Sequence, residues 1–172
     1  MSPILAFAAT LTPDEDGRLV VHFPDLPEAL TDGADEAEAL REASDALSEA
    51  LLQRLARGEG IPRPRRPRKG EYQVAPYPNV ALKMMLSHVS TTVEHPAATL
   101  ARNLDVDHKE ARRLLDPAQP SKADRLSDAL AALGYLTTTR LYRVADHGRV
   151  EEETDWFGSV AARPARRGDQ RA

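Results

Sequence analysis

The sequence contains no cysteine and few aromatic residues, and each absence limits what the chain can be. Without cysteine there is neither a disulfide framework nor a thiolate metal site. Aromatic residues make up 5% of the 172 residues, so we expect a core of leucine, alanine and valine. No window approaches the roughly 20 apolar residues that cross a bilayer, and the N-terminus lacks the basic region of a signal peptide. We therefore expect a cytoplasmic protein without a membrane partner.

Signatures of catalysis and of metal binding are missing as well. The five histidines are scattered, and their spacing suits no shared metal ion. A nucleophile elbow, a phosphate-binding glycine loop and a dinucleotide fingerprint are also absent. We interpret the neighbouring carboxylates of residues 14–16 as solvated turn residues rather than as an acid–base pair. The sequence thus predicts no catalytic residue, no metal site and no cofactor.

The net charge of −4 conceals a strong segregation of charge along the chain. Residues 1–57 carry 12 acidic and 4 basic side chains, whereas residues 58–70 carry 1 acidic and 5 basic side chains. The remainder of the chain is balanced. An acidic segment joined to a basic one predicts two partners of opposite charge.

The first strands are predicted from alternation and turn chemistry. Residues 3–11 are apolar, residues 13–17 are typical of a turn, and residues 19–23 alternate at period two. This order favours a β-hairpin. Residues 29–31 predict a short third strand.

A long helix is predicted next, because Asp35 and Glu38 have the spacing of a capping box. Leucines at helical spacing extend this amphipathic helix over roughly residues 35–57. The proline-rich basic segment 61–70 cannot form regular secondary structure, and we interpret it as a loop leading to a fourth strand at 71–77. The order β-β-β-α-β predicts an α+β fold, with an antiparallel sheet carrying one helix on its face.

The second half of the chain is predicted to be all-helical. We expect Asn79 to cap its first helix, and Ser121 with Asp124 to form a second capping box. Between them, helix 97–104, a short break and helix 108–115 have helix-turn-helix spacing. Residues 137–144 are compatible with a strand or an extended arm, and a partly disordered tail is expected after about residue 158.

Basic side chains cluster on helix 108–115. Lys109, Arg112 and Arg113 share one face by their i, i+3 and i+4 spacing, and His108 lies beside Arg112. In a major groove, Lys109 and Arg112 would reach guanine edges and Arg113 a phosphate. The alternative, a solvated basic face on an ordinary bundle helix, stays open from spacing alone.

Residues 24–40 and their surroundings carry a resemblance to a known family. The run Phe-Pro-Asp-Leu-Pro at 23–27, the Thr-x-Gly turn at 31–33 and the acid-capped Asp-Glu-Ala-Glu-Ala-Leu at 35–40 resemble the signature of HicB-type antitoxins. The resemblance covers about residues 3–77. Glu28 departs from it, because the family usually has glycine there. Such domains resemble a degenerate RNase H-like fold that has lost its catalytic carboxylates.

Residues 79–134 are similar to a second family, the lambda-repressor-like helix-turn-helix. Leu-Ala-Arg-Asn-Leu-Asp-Val at 100–106 resembles its Leu-Ala-x-x-Leu-Gly-Val segment. Asp105 stands where glycine usually allows a left-handed turn, and aspartate tolerates that conformation better than most residues. The resemblances together imply a toxin-binding domain at 1–77, a DNA-binding domain at 78–140, and an arm and tail at 141–172.

The resemblance implies a function with two partners. The chain would neutralise a HicA-like mRNA-cleaving toxin and repress its own operon on operator DNA, as a homodimer or higher oligomer. We place toxin contacts at Asp25, Glu28 and Asp32, in the corner formed by residues 24–32, which we call the proline corner. The alternative is a stand-alone helix-turn-helix regulator whose N-terminal domain oligomerises or senses a ligand. A hydrolase is disfavoured, since the strands lack clustered carboxylates.

Overall fold

A computed structural model describes residues 5–139, 142–145 and 149–153. The elements in chain order are β1 (Phe7–Pro13), β2 (Leu19–His22), β3 (Leu30–Gly33), α1 (Glu36–Arg57), β4 (Tyr72–Val74), α2 (Pro78–Ser90), α3 (Pro96–Leu104), α4 (His108–Leu115), α5 (Ala123–Ala132), β5 (Tyr142–Ala145) and β6 (Arg149–Glu153). This order confirms the predicted fold class, an antiparallel sheet with a helix followed by a helical region. No helix in these ranges is long and apolar enough to cross a membrane.

The four-stranded sheet has the order β3-β2-β1-β4, and its neighbours are all antiparallel. The β1–β2 pair is the predicted hairpin, with Leu11 opposite Val21. β4 returns after the helix and pairs with β1, which places Val74 opposite Phe7. Segment 61–70 therefore connects α1 to β4, which belongs to the same sheet as β1–β3. It is a loop within this fold, as predicted, and not a linker between two domains.

Helix α1 begins at the predicted cap. The Asp35 carboxylate accepts a hydrogen bond of 2.8 Å from the backbone N–H of Glu38. The Glu38 carboxylate reaches back to the N–H of Ala34, 2.7 Å away, one residue before the cap. The helix ends at Arg57, and the residue that caps it, Gly58, has a left-handed φ of 68°.

Two hydrophobic clusters meet along α2. The first lies between the sheet and α1 and includes Phe7, Phe23, Leu47 and Val80. The second lies among α2–α5 and includes Leu86, Leu100, Leu126 and Leu130. Helix α2 contributes residues to both clusters, so the clusters do not separate at residue 78. The domain boundary between residues 77 and 78 therefore stays a prediction.

Two predicted helix caps are wrong. Helix α2 begins at Pro78 with Tyr77 at the cap position, and Asn79 makes no capping bond. Helix α5 is preceded by Lys122 and also lacks a side-chain cap. The Ser121 hydroxyl instead accepts a hydrogen bond of 3.1 Å from the ammonium of Lys83.

The segment predicted as a strand or an arm contains a strand. β5 pairs antiparallel with β6 in a separate two-stranded sheet, with Val144 opposite Val150. The predicted tail after residue 158 lies outside the described residues.

Candidate functional site

The candidate site is built on the turn between α3 and α4. Asp105 closes α3 in the left-handed conformation, with φ 54° and ψ 48°. Its N–H is bonded to the carbonyl of Ala101. Two residues later the Asp107 carboxylate accepts a bond of 2.7 Å from the N–H of Glu110 and begins α4. The expected left-handed turn at Asp105 is present, and Asp107 caps α4.

Helix α4 divides cleanly into two faces. Ala111 and Leu114 are buried in the helical core. The predicted DNA-contacting side chains all lie on exposed positions: His108, Lys109, Arg112 and Arg113. Since the buried face holds the helix against its neighbours, the basic face is left open to solvent.

The charges on this face are uncompensated. Lys109, Arg112 and Arg113 form no ion pair within the described part of the chain, whereas Glu110 on the same helix is paired with Arg125 of α5. Helix α4 therefore presents unpaired cations to solvent, because its one acidic side chain, Glu110, is paired with a residue of α5.

A concavity beside α4 adds residues that the sequence reading missed. Its volume is about 330 Å³, and Lys109 and Arg113 line one side of it. Lys122 and Arg125, at the start of α5, line the other. These two residues come near α4 through the packing of α5, which no short-range spacing reveals. Asp107 and Glu110 line the concavity as well. Lys122 forms no ion pair within the described residues and extends the basic surface beyond α4, whereas Arg125 is paired with Glu110.

Lys83 is a third residue that the sequence did not predict. Its side chain is 3% exposed, and its ammonium donates a bond of 2.9 Å to the carbonyl of Leu114, at the C-terminal end of α4. Burial lowers the pKa of Lys83, while the nearby Asp116 carboxylate acts in the opposite direction. The lysine thus positions the end of α4 rather than meeting a partner.

The three predicted toxin contacts each face an arginine of the same chain. Asp32 pairs with Arg18. Glu28 pairs with Arg54, and its Oε2 lies 3.2 Å from Nη2 of that residue. Hydrogen bonding from Arg54 is the main reason that the pKa of Glu28 is lowered.

Asp25 is the least exposed of the three predicted toxin contacts. Its Oδ1 lies 3.5 Å from Nε of Arg65. Its Oδ2 is buried and has no hydrogen-bond partner among the described residues. The arginines on these carboxylates mean that a cationic partner would have to compete with an internal one.

The proline corner has ordinary backbone geometry at its unusual residue. Two successive turns are closed by bonds from Leu26 N–H to the Phe23 carbonyl, 3.0 Å, and from Ala29 N–H to the Leu26 carbonyl, 2.9 Å. Among described non-glycine residues, positive φ occurs at His95 and Asp105 and not at Glu28. The glycine usual at this position is therefore not required here for left-handed geometry.

Comparison with known proteins identifies the family. A sequence profile of the HicB-like antitoxins of bacterial toxin–antitoxin systems matches residues 6–85. Antitoxin HicB 1 of Photorhabdus laumondii subsp. laumondii is 33% identical over 134 residues, which cover 78% of this chain and 85% of the relative. Antitoxin HicB of Escherichia coli (strain K12) is 33% identical over 130 residues, covering 76% and 94%. The proline corner, the acid-capped α1 and the relatives that span most of the chain lead to one conclusion: the chain belongs to the HicB family of antitoxins.

Proposed function

We propose that this protein neutralises a HicA-like mRNA-cleaving toxin and represses its own operon by binding operator DNA as a dimer or higher oligomer. Family membership supports the antitoxin role. The observation that carries the DNA-binding role is the exposed, unpaired basic face of α4, held by a buried apolar face and by Lys83. The site of action would be the cytoplasm, where operator and transcripts lie.

The toxin is bound by the acidic N-terminal unit. Residues 1–57 carry 12 acidic and 4 basic side chains, which suits a small basic toxin. Neutralisation is occlusion of the toxin's RNA site and requires no catalysis by this chain. Asp25, Glu28 and Asp32 stay the proposed contacts. Exposed carboxylates of α1 that form no ion pair within the described residues, such as Glu42 and Asp45, would meet a cation without internal competition.

Operator DNA is bound by α4 in the major groove. Lys109 and Arg112 contact base edges, while Arg113 and His108 contact the backbone. Lys122 lines the adjoining concavity and extends the surface toward flanking phosphates. Two copies of the chain would present two such helices to two half-sites.

The operator proposal is tested by fluorescence anisotropy on DNA from upstream of the gene. Each bidentate base contact is worth about 1–3 kcal/mol, so Lys109→Ala with Arg112→Ala should weaken operator binding by at least about tenfold. Arg41→Ala with Arg57→Ala, which removes two exposed cations from α1, is the matched control and should bind as the wild type does. Unchanged affinity in the α4 variant would remove α4 from the proposal.

The toxin proposal is tested by co-expression with the small basic protein encoded beside this gene. Co-purification and loss of that protein's RNA cleavage are expected. A failure to bind at micromolar concentration, with operator binding intact, would favour the stand-alone regulator over the antitoxin.

A further inference from the structure

The basic loop, residues 61–70 between α1 and β4, is held in place by a part-buried carboxylate. The Arg65 guanidinium makes two parallel bonds to Glu71, of 2.6 Å and 2.8 Å. Nε of Arg65 also faces Asp25, 3.5 Å away. Planar two-bond pairing of this kind fixes orientation as well as adding energy. One of the five cations of the loop is therefore structural.

The same carboxylate fastens the far end of the loop. The backbone N–H of Arg68 donates a bond of 2.6 Å to Glu71, and the N–H of Glu71 returns to the Arg68 carbonyl at 3.1 Å. The Glu71 side chain is only 9% exposed. Its bonds from Arg65 and Arg68 lower its pKa to about 2, so it stays charged at neutral pH. Ile61 packs against the sheet core at the other end.

Four cations of the loop are left over from this anchoring. They are Arg63, Arg66, Arg68 and Lys69, and each is exposed. None of them forms an ion pair within the part of the chain that the structure describes. The intervening prolines favour an extended backbone, which spreads the cations along the loop. The result is an ordered row of free positive charge.

The surface of the loop favours a phosphate partner over a protein. Protein interfaces are centred on buried apolar or aromatic anchors and are poor in charge at their core. Here Ile61 and the prolines Pro62, Pro64 and Pro67 are part-buried, and the exposed side chains are cations. Arginine outnumbers lysine among them, and its planar fork matches phosphate oxygens. Such a surface suits the backbone of a nucleic acid, where contacts are ionic and independent of sequence.

We propose that the four free cations of the basic loop bind the phosphodiester backbone of a nucleic acid. This site lies on the sheet unit, formed by β1–β4 and α1, and is separate from α4. The site adds affinity without reading bases. The phosphodiester backbone that it binds is that of a duplex beside the operator or that of an RNA strand.

The test uses the full-length protein with Arg63→Gln and Arg66→Gln, which leaves the Arg65–Glu71 anchor in place. Arg41→Gln with Arg57→Gln is the charge-matched control. Affinity for a scrambled duplex DNA and for an RNA of equal length is measured by anisotropy over a salt series. Each phosphate contact contributes about 0.9 to the slope of log affinity against log salt for duplex and about 0.7 for single strands. We expect the slope of the loop variant to be smaller than that of the wild type by up to about 1.8 for the duplex or by about 1.4 for the RNA.

The outcomes separate the possible partners. A reduced slope in the duplex arm assigns the loop to DNA, and in the RNA arm to RNA. Unchanged slopes in both arms, or an equal loss in the control, would overturn the proposal. Loop-dependent binding of polyglutamate with unchanged nucleic-acid binding would also overturn it, in favour of an acidic protein. Since scrambled DNA needs no operator recognition, the loop result stands even if α4 fails its own test.

Discussion

The ammonium of Lys83 in α2 lies 2.9 Å from the carbonyl oxygen of Leu114, at the C-terminal end of α4. A cation at that end of a helix is favoured, because unsatisfied carbonyls concentrate negative partial charge there. The same ammonium also holds the hydroxyl of Ser121 just beyond α4. Since α2 also places Val80 in the core beneath the sheet, one helix connects that core to the position of α4.

Removal of this ammonium should destabilise the fold. Lys83→Met keeps the aliphatic stem but leaves the Leu114 carbonyl and the Ser121 hydroxyl without their donor. An unsatisfied buried polar group costs about 1–3 kcal/mol, so urea unfolding should show a loss of that size. Lys122→Met, on an exposed lysine, should stay within about 0.5 kcal/mol of the wild type. Equal stability of the two variants would show that the Lys83 bonds contribute nothing net.

The cap of α1 gives a second prediction. Asp35→Ala removes the acceptor for the Glu38 N–H, now 2.8 Å away. Loss of such a cap typically costs about 1 kcal/mol, measured as a lower urea midpoint. Asp45→Ala removes the same charge from an exposed position within the helix and should have little effect. A comparable loss in both variants would attribute the effect to charge rather than to capping.

Gly33 is required by the close approach of β3 to α1. A Cβ at this position would lie 2.6 Å from Cα of Ala39 and 2.9 Å from the carbonyl carbon of Glu38, which are both backbone atoms. Overpacking lowers the free energy of unfolding by about 1–3 kcal/mol and occasionally more. Because backbone atoms cannot move aside as a flexible side chain can, we expect Gly33→Ala to lose stability at the upper end of this range. Gly60→Ala meets nothing within 4 Å and is the control. Thermal unfolding of both variants tests this.

Asp105 occupies the turn before α4 with φ 54°. Left-handed geometry costs an L-residue roughly 1–2 kcal/mol, less for aspartate and nothing for glycine. Asp105→Gly should therefore be more stable than Asp105→Ala by about 1 kcal/mol in chemical unfolding. If alanine were the more stable of the two, the turn would have to adopt another conformation in solution.

Acid should weaken the anchor of the basic loop. The pKa of Glu71 is lowered from 4.5 to about 2, first by its bond from Arg65 and then by the Arg68 N–H. A lowered folded-state pKa gives stability that is complete above pH 4.5 and is lost as the pH falls through about 2. The free energy of unfolding of the wild type should converge on that of Glu71→Gln over this window. A difference in the free energy of unfolding between the two proteins that stayed constant as the pH fell from 4.5 to 2 would contradict this prediction.

The sheet unit was predictable because its signals are short-range. The Asp35–Glu38 cap spans three residues, and the turns of the proline corner link Phe23 to Leu26 and Leu26 to Ala29. Such bonds depend on neighbours in sequence, so spacing reveals them. The basic face of α4 followed from helical periodicity for the same reason.

The wrong caps had a competing physical cause. Pro78 already occupies the first turn of α2, where its missing N–H costs nothing, so Asn79 has no cap to make. Ser121 is taken by Lys83, 38 residues earlier in the chain. A bond between such distant residues leaves no trace in local spacing.

The amino-acid sequence alone was sufficient for the family, the order of elements in the sheet unit and the basic face of α4, because each depends on residues a few positions apart. Tertiary packing determined which charges are free. It paired Asp25, Glu28 and Asp32 with arginines and buried Lys83 against α4. It also used Arg65 as an anchor and left the other cations of the basic loop exposed. Folding brings some charged side chains within hydrogen-bond reach of residues that are distant in sequence, and these charges are then paired within the chain. The charges that meet no such residue remain free to bind a partner.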